Sequence, residues 1–172
     1  WLDVSRMHLN SSALEALTPR LEQAFKAMEE LEGGAIANAD EQRQVGHYWL
    51  RQPQLAPDQQ VGASISAEID AIDQFGQSIL AGSIQAPNGQ PFTDVLWIGI
   101  GGSALGPLLM VRALQDHAVG LPFHFFDNVD PNGMSRVLAS LGERLRTTLV
   151  ITVSKSGGTP EPHLGMEQAR HR

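Results

Sequence analysis

At 172 residues, 42% hydrophobic and 18% charged, the chain suffices for one α/β domain with a helical extension and is too short for two full-sized domains. That apolar fraction lies above the range of chains that stay disordered, so a packed core is expected. Twelve Lys and Arg against nineteen Asp and Glu leave a net charge of −7, which argues against a general nucleic-acid binder but not against a local anion site; the lack of cysteine excludes disulfides, thiolate metal sites and a cysteine nucleophile, and is compatible with a reducing cytosol.

The first residues show no basic region followed by an apolar one, so no signal peptide is expected. Ser11 or Ser12 is placed to cap a first helix, with Glu15 at capping-box distance from Ser12. Leu14, Leu17, Leu21, Phe25, Met28 and Leu31 then recur at steps of three and four, and Gly33-Gly34 ends the run. A second helix is expected from Asn38 to about Gln52, stopped by Pro53, and a third is marked by Ile65, Ile69, Ile72 and Ile79 and closed by Gly82. These stripes read as core-facing surfaces without chemistry of their own.

Near residue 90 the pattern changes. Pro87-Asn88-Gly89 signals a turn, and the compact apolar run Val95-Leu96-Trp97-Ile98-Gly99-Ile100 suits a strand buried on both faces, as in a parallel sheet. The uncharged stretch Val95 to Val111 is no membrane span: it is short, and Gly99, Gly101, Gly102 and Pro107 interrupt it. A helix is expected from Ser103 to about Asp116, a strand over Pro122–Phe126, a helix over Met134–Leu141 and a strand over Thr148–Val153. A loop from Ser154 to Pro162 leads into a last helix. The order β-α-β-α-β-α predicts a doubly wound parallel sheet. The division expected is a helical segment over residues 1–90 and an α/β domain over 91–172. Because the chain opens at Trp1 and stops inside a predicted helix, it is expected to be a piece of a longer protein.

In such sheets ligands bind beyond the carboxyl ends of the strands, near a switch in strand order. Two loops fall there. Gly99-Ile100-Gly101-Gly102-Ser103-Ala104-Leu105-Gly106 runs from a strand into a helix, where glycines permit close backbone approach and a helix N-terminus favours an anion. Ser154-Lys155-Ser156-Gly157-Gly158-Thr159 packs three hydroxyls, a lysine and two glycines into six residues, with Thr159 before Pro160 as a helix cap. Either alone reads equally as an ordinary turn with a cap; both at one edge favour a phosphate site. A dinucleotide site is the competing reading, since Gly99-x-Gly101-x-x-Ala104 fits that fingerprint and Asp127 ends the next strand. It leaves the hydroxyl-rich loop unexplained.

The two loops in this order resemble the first sugar-isomerase domain of the glucose-6-phosphate isomerase family. Gly99-Ile100-Gly101-Gly102-Ser103 with Leu105-Gly106 is similar to one family motif, and Ser154-Lys155-Ser156-Gly157-Gly158-Thr159-Pro160-Glu161-Pro162 to another. Gly46-His47-Tyr48-Trp49-Leu50-Arg51 and Phe126-Asp127-Asn128-Val129-Asp130-Pro131 resemble the cyanobacterial and plastid-like branch. The resemblance implies that Ser103, Ser154, Ser156 and Thr159 hold a sugar 6-phosphate and that Gly102 and Lys155 line the same pocket. Gly158 stands where many members carry a threonine, so the loop has one hydroxyl fewer. It further implies interconversion of glucose 6-phosphate and fructose 6-phosphate in the cytoplasm, without metal or organic cofactor, by a homodimer that binds neither nucleic acid nor membrane. The family's glutamate base, ring-opening histidine and late lysine belong to motifs beyond residue 172, so no catalytic residue is assigned here and the stretch alone is expected to be inactive. A non-catalytic sugar-phosphate-binding module is the alternative.

The histidines His8, His47, His117, His124, His163 and His171 show no metal-ligand spacing. His124, inside an apolar strand, reads as a hydrogen-bonded structural residue. His163, close to the hydroxyl-rich loop, is the histidine best placed to approach a ligand, although a structural role is the leading expectation; Glu161 is placed to tune acid/base chemistry near that loop, but an acid in a helix's first turn is also favourable by itself.

Overall fold

The fold is that of a computed structural model, which describes residues 3, 5–7, 9–114 and 120–171. His8, His117 and the expected helix end near Asp116 lie outside the described residues. The chain divides into two compact units, Trp1–Ile72 and Asp73–Arg172.

In the first unit, helix α1 (Ser11–Glu32) is capped by Asn10 and not by the expected Ser11 or Ser12. The Asn10 side chain accepts from the Ala13 amide at 2.9 Å and from the Ser12 hydroxyl at 2.9 Å. The helix expected over 38–52 forms only at its carboxyl end. An antiparallel pair, β1 (Ile36–Asn38) and β2 (Arg43–Gln44), precedes a short helix α2 (His47–Arg51). The reason is local: the Asn38 side chain accepts from the Glu41 amide at 3.0 Å, which turns the backbone back before a helix can form. Trp49 on α2 is buried, and its indole N–H donates to the Glu32 carbonyl at 2.9 Å. Helix α3 (Gln59–Leu80) follows as expected, and its residues 73–80 belong to the second unit. The stripes on α1 and α3 are largely exposed in this chain: Phe25 is 67% exposed and Ile72 70%, and Leu14, Leu21, Met28 and Ile69 are exposed as well, whereas Ile79 near the end of α3 is buried and Ile65 half-buried.

The second unit is a three-stranded parallel sheet. β3 (Asp94–Ile98) is central, with β4 (Phe123–Phe126) on one side and β5 (Thr148–Thr152) on the other. Val95 pairs with Phe123 and Leu149, and Ile98 with Phe126 and Thr152. Helix α4 (Gly102–Leu114) joins β3 to β4, and α5 (Pro131–Leu141) with a 3-10 turn (Gly142–Thr147) crosses back to β5. Because the chain moves one way after β3 and the other way after β4, the sheet is doubly wound. The α/β architecture read from the element order is the one found. Asp130 caps α5 by accepting from the Asn132 and Gly133 amides, with Pro131 in the first turn, so this helix starts three residues before the expected Met134.

Strand alternation divides β3 between two layers. Leu96 and Ile98 form the core with Phe126, Met134 and Leu138, each buried and each contributing roughly 1.5–3 kcal/mol. The last helix, α6 (Pro160–Arg170), joins that layer through Gly165, where an added Cβ would stand 2.8 Å from Ile98 Cγ2. Asp94 faces the same side at the amino edge of the sheet and is fully buried. Its Oδ1 meets His124 Nε2 at 2.8 Å and accepts from Arg144 Nη1 at 2.6 Å, while Oδ2 accepts from the Thr93 hydroxyl at 2.8 Å. Burial pushes the Asp94 carboxyl up. The hydrogen bonds from His124 and Thr93 and the charges of Arg144 and His124 together outweigh it and hold the group below its ordinary 3.8. His124 is thereby the hydrogen-bonded structural residue its sequence setting suggested. Among the described residues, no helix is long and apolar enough to cross a membrane.

Candidate functional site

In the order β4-β3-β5 the switch falls between β3 and β5, and a ligand crevice is expected beyond the carboxyl ends of those two strands. The glycine-rich loop leaves β3 and the hydroxyl-rich loop leaves β5, so the two share that edge. Their roots are joined by a further rung, from the Val153 amide to the Ile98 carbonyl at 2.8 Å.

The glycine-rich loop turns on Gly101 at φ +53, a left-handed conformation that costs glycine nothing. The Ser103 and Ala104 amides donate to the Ile100 and Gly101 carbonyls, both at 3.1 Å, and so close the turn. Gly99 permits a close approach: a Cβ there would stand 3.0 Å from the Ser103 carbonyl oxygen and 3.2 Å from its Cβ. Gly102 opens α4 in free space, and Ser103 follows it, half-buried. The Trp97 indole N–H donates to the Ser103 carbonyl at 2.8 Å.

The hydroxyl-rich loop is organised by its own side chains. Ser154 Oγ and Thr159 Oγ1 lie 2.9 Å apart, and Ser154 Oγ also accepts from the Gly157 amide at 3.1 Å. Gly157 takes φ +74, and the Gly158 amide donates to Ser156 Oγ at 3.2 Å. Thr159 occupies the N-cap position of α6, but its side chain makes no capping bond and turns to Ser154 instead. Ser154 and Thr159 are half-buried at the loop's base, whereas Lys155 and Ser156 are exposed at its tip. The expected loop residues thus gather hydroxyls and a cation at one sheet edge, with exposed glycines beside them. Such a set suits an anion approached from solvent, because hydroxyls and amides donate to it and a lysine adds charge.

Between the loop roots and α6, a small crevice is lined by Ile98, Gly99, Ile100, Asn128, Glu161 and Pro162. Asn128 and Glu161 border this crevice, which none of Gly102, Ser103, Ser154, Lys155, Ser156 and Thr159 lines; the sequence had suggested no role for Asn128. Asn128 also donates to Asp127 at 2.7 Å. His163 is exposed on α6. The contact from Trp97 to Ser103 was not legible as a motif either.

A doubly wound parallel sheet with a glycine-rich and a hydroxyl-rich loop at its switch point belongs to the class of α/β proteins that bind ligands at the carboxyl edge. The family model described as phosphoglucose isomerase matches residues 3–172, and the chain belongs to that family. A protein named glucose-6-phosphate isomerase from Parasynechococcus marenigrum (strain WH8102) is 75% identical over 172 residues, all of this chain and 31% of the relative. Proteins of the same name from Prochlorococcus marinus (strain MIT 9313) and Synechococcus sp. (strain CC9605) are 72% and 70% identical over all 172 residues, covering 31% and 32% of their lengths. The chain therefore spans about a third of the curated relatives it matches.

Proposed function

We propose that the full-length protein interconverts glucose 6-phosphate and fructose 6-phosphate in the cytoplasm, as a homodimer, with this stretch supplying the phosphate-binding part of the site. Gly102, Ser103, Ser154, Lys155, Ser156 and Thr159 hold the 6-phosphate in this reading, and residues 91–172 form part of the first sugar-isomerase domain. The observation that carries it is the meeting of the two loops at the switch point of the sheet, in a chain of the phosphoglucose isomerase family. The phosphate sits away from the reacting carbons, so its binding energy positions the sugar for groups that act elsewhere. Those groups, a ring-opening acid/base pair and a glutamate that moves a proton between C1 and C2 through an enediol, lie outside this stretch.

Isomerisation of fructose 6-phosphate by the full-length protein tests the reading, with the 172-residue stretch assayed beside it. Turnover by the former and none by the latter is expected. A folded full-length protein that binds the sugar phosphate without turnover points instead to a binding module. In the full-length protein, Ser156→Ala and Thr159→Ala each weaken fructose 6-phosphate binding by about 1–3 kcal/mol, the cost of stranding a charged group's hydrogen bond. Unchanged affinity in both, with circular dichroism intact, removes the phosphate assignment.

A further inference from the structure

Helix α4 carries a proline in its interior, Pro107. In an α-helix the amide of residue 107 would donate to the carbonyl of residue 103, and proline has no N–H to give. The Ser103 carbonyl is therefore without its usual in-helix partner, at the turn that presents Ser103 to the loop edge. The Trp97 indole N–H donates to that carbonyl at 2.8 Å. Trp97 is itself set on β3 by pairing with Phe125 and Ile151 and by its ring's approach to Phe123, with centroids 6.4 Å apart. From the other side, Gly99 lets the end of β3 approach the Ser103 main chain within about 3 Å of where a Cβ would be.

We propose that Trp97 is a positioning residue for the phosphate site: its indole replaces the hydrogen bond that Pro107 removes and so fixes Ser103 and the first turn of α4. This rests on the reading of the two loops as a phosphate site. It adds a residue that no loop motif contains, two positions before the first glycine and turned onto the α4 side of the sheet.

The test uses the full-length protein and two ligands, fructose 6-phosphate and inorganic phosphate. Trp97→Phe keeps the ring against Phe123 and deletes the donor. It is expected to weaken both ligands by a common factor of about fivefold, the effect of one hydrogen bond, with kcat changed less than KM. Adding Pro107→Ala supplies an amide at residue 107 and is expected to restore affinity. Unchanged affinity in Trp97→Phe, or a loss that Pro107→Ala leaves uncorrected, overturns the proposal. Should Trp97→Phe not fold, the indole N–H resonance of the wild-type protein serves instead: a shift on saturation with inorganic phosphate supports the link, and no shift refutes it. Ser103→Ala separates the two readings. If it, Ser156→Ala and Thr159→Ala all leave both affinities unchanged, the phosphate site itself fails; if they lower them while Trp97→Phe does not, only the positioning role fails.

Discussion

Asp94 shows what one residue contributes. A fully buried carboxylate is costly unless charges and donors surround it, and here His124, Arg144 and Thr93 do so from β4, the 3-10 turn and the residue before β3. Arg144 is half-exposed, so water screens part of its attraction. Thr147 extends the cluster, with its hydroxyl 2.7 Å from that of Thr93. Asp94→Asn is expected to destabilise the protein by about 3 kcal/mol near neutral pH by breaking a buried charged network. Since the folded-state pKa lies below the ordinary value of 3.8, the contribution is complete above 3.8 and fades as pH falls through the folded value. The gap in unfolding temperature between wild type and Asp94→Asn should accordingly narrow on acidification, and thermal melts across the acid range check this. A gap that stays constant overturns it.

The packing of α6 turns on Gly165. An added Cβ would stand 2.8 Å from Ile98 Cγ2 and 3.4 Å from Phe126 Cδ2, a contact that forces the helix or the strand to move. Gly165→Ala is expected to destabilise by about 1–3 kcal/mol despite alanine's better helix propensity, as measured by chemical denaturation. A stabilised variant would show that α6 shifts freely. Elements of this unit were legible because they have simple periods: β3 is an uninterrupted apolar run, and turn residues bound each strand. The hairpin at 36–44 was not legible. Its strands are three and two residues long, too short for alternation to register, and one Asx turn at Asn38 overrode a plausible helical spacing. The loops of the candidate site were readable as motifs, whereas the clasp on Ser103 joins residues in two elements. Its trace in the sequence is a proline four residues after a serine, which gives the missing donor without naming its replacement.

Across the whole molecule, periodicity revealed which faces are apolar but not what lies against them. Leu105 and Leu109 on α4 are 60% and 67% exposed, and the α1 stripe is open to solvent in a chain that spans about a third of its relatives. The two ends of the sheet carry different chemistry: the Asp94–Arg144–His124 network at the amino edge, the loops at the carboxyl edge. Asp94 opens β3 and the glycine-rich loop begins at Gly99, five residues on, about 16 Å of strand. Substitutions that far apart, with no shared partner, add in their effects on stability. Such a strand lets a lineage adjust heat tolerance at its buried end without disturbing the loops at its open one.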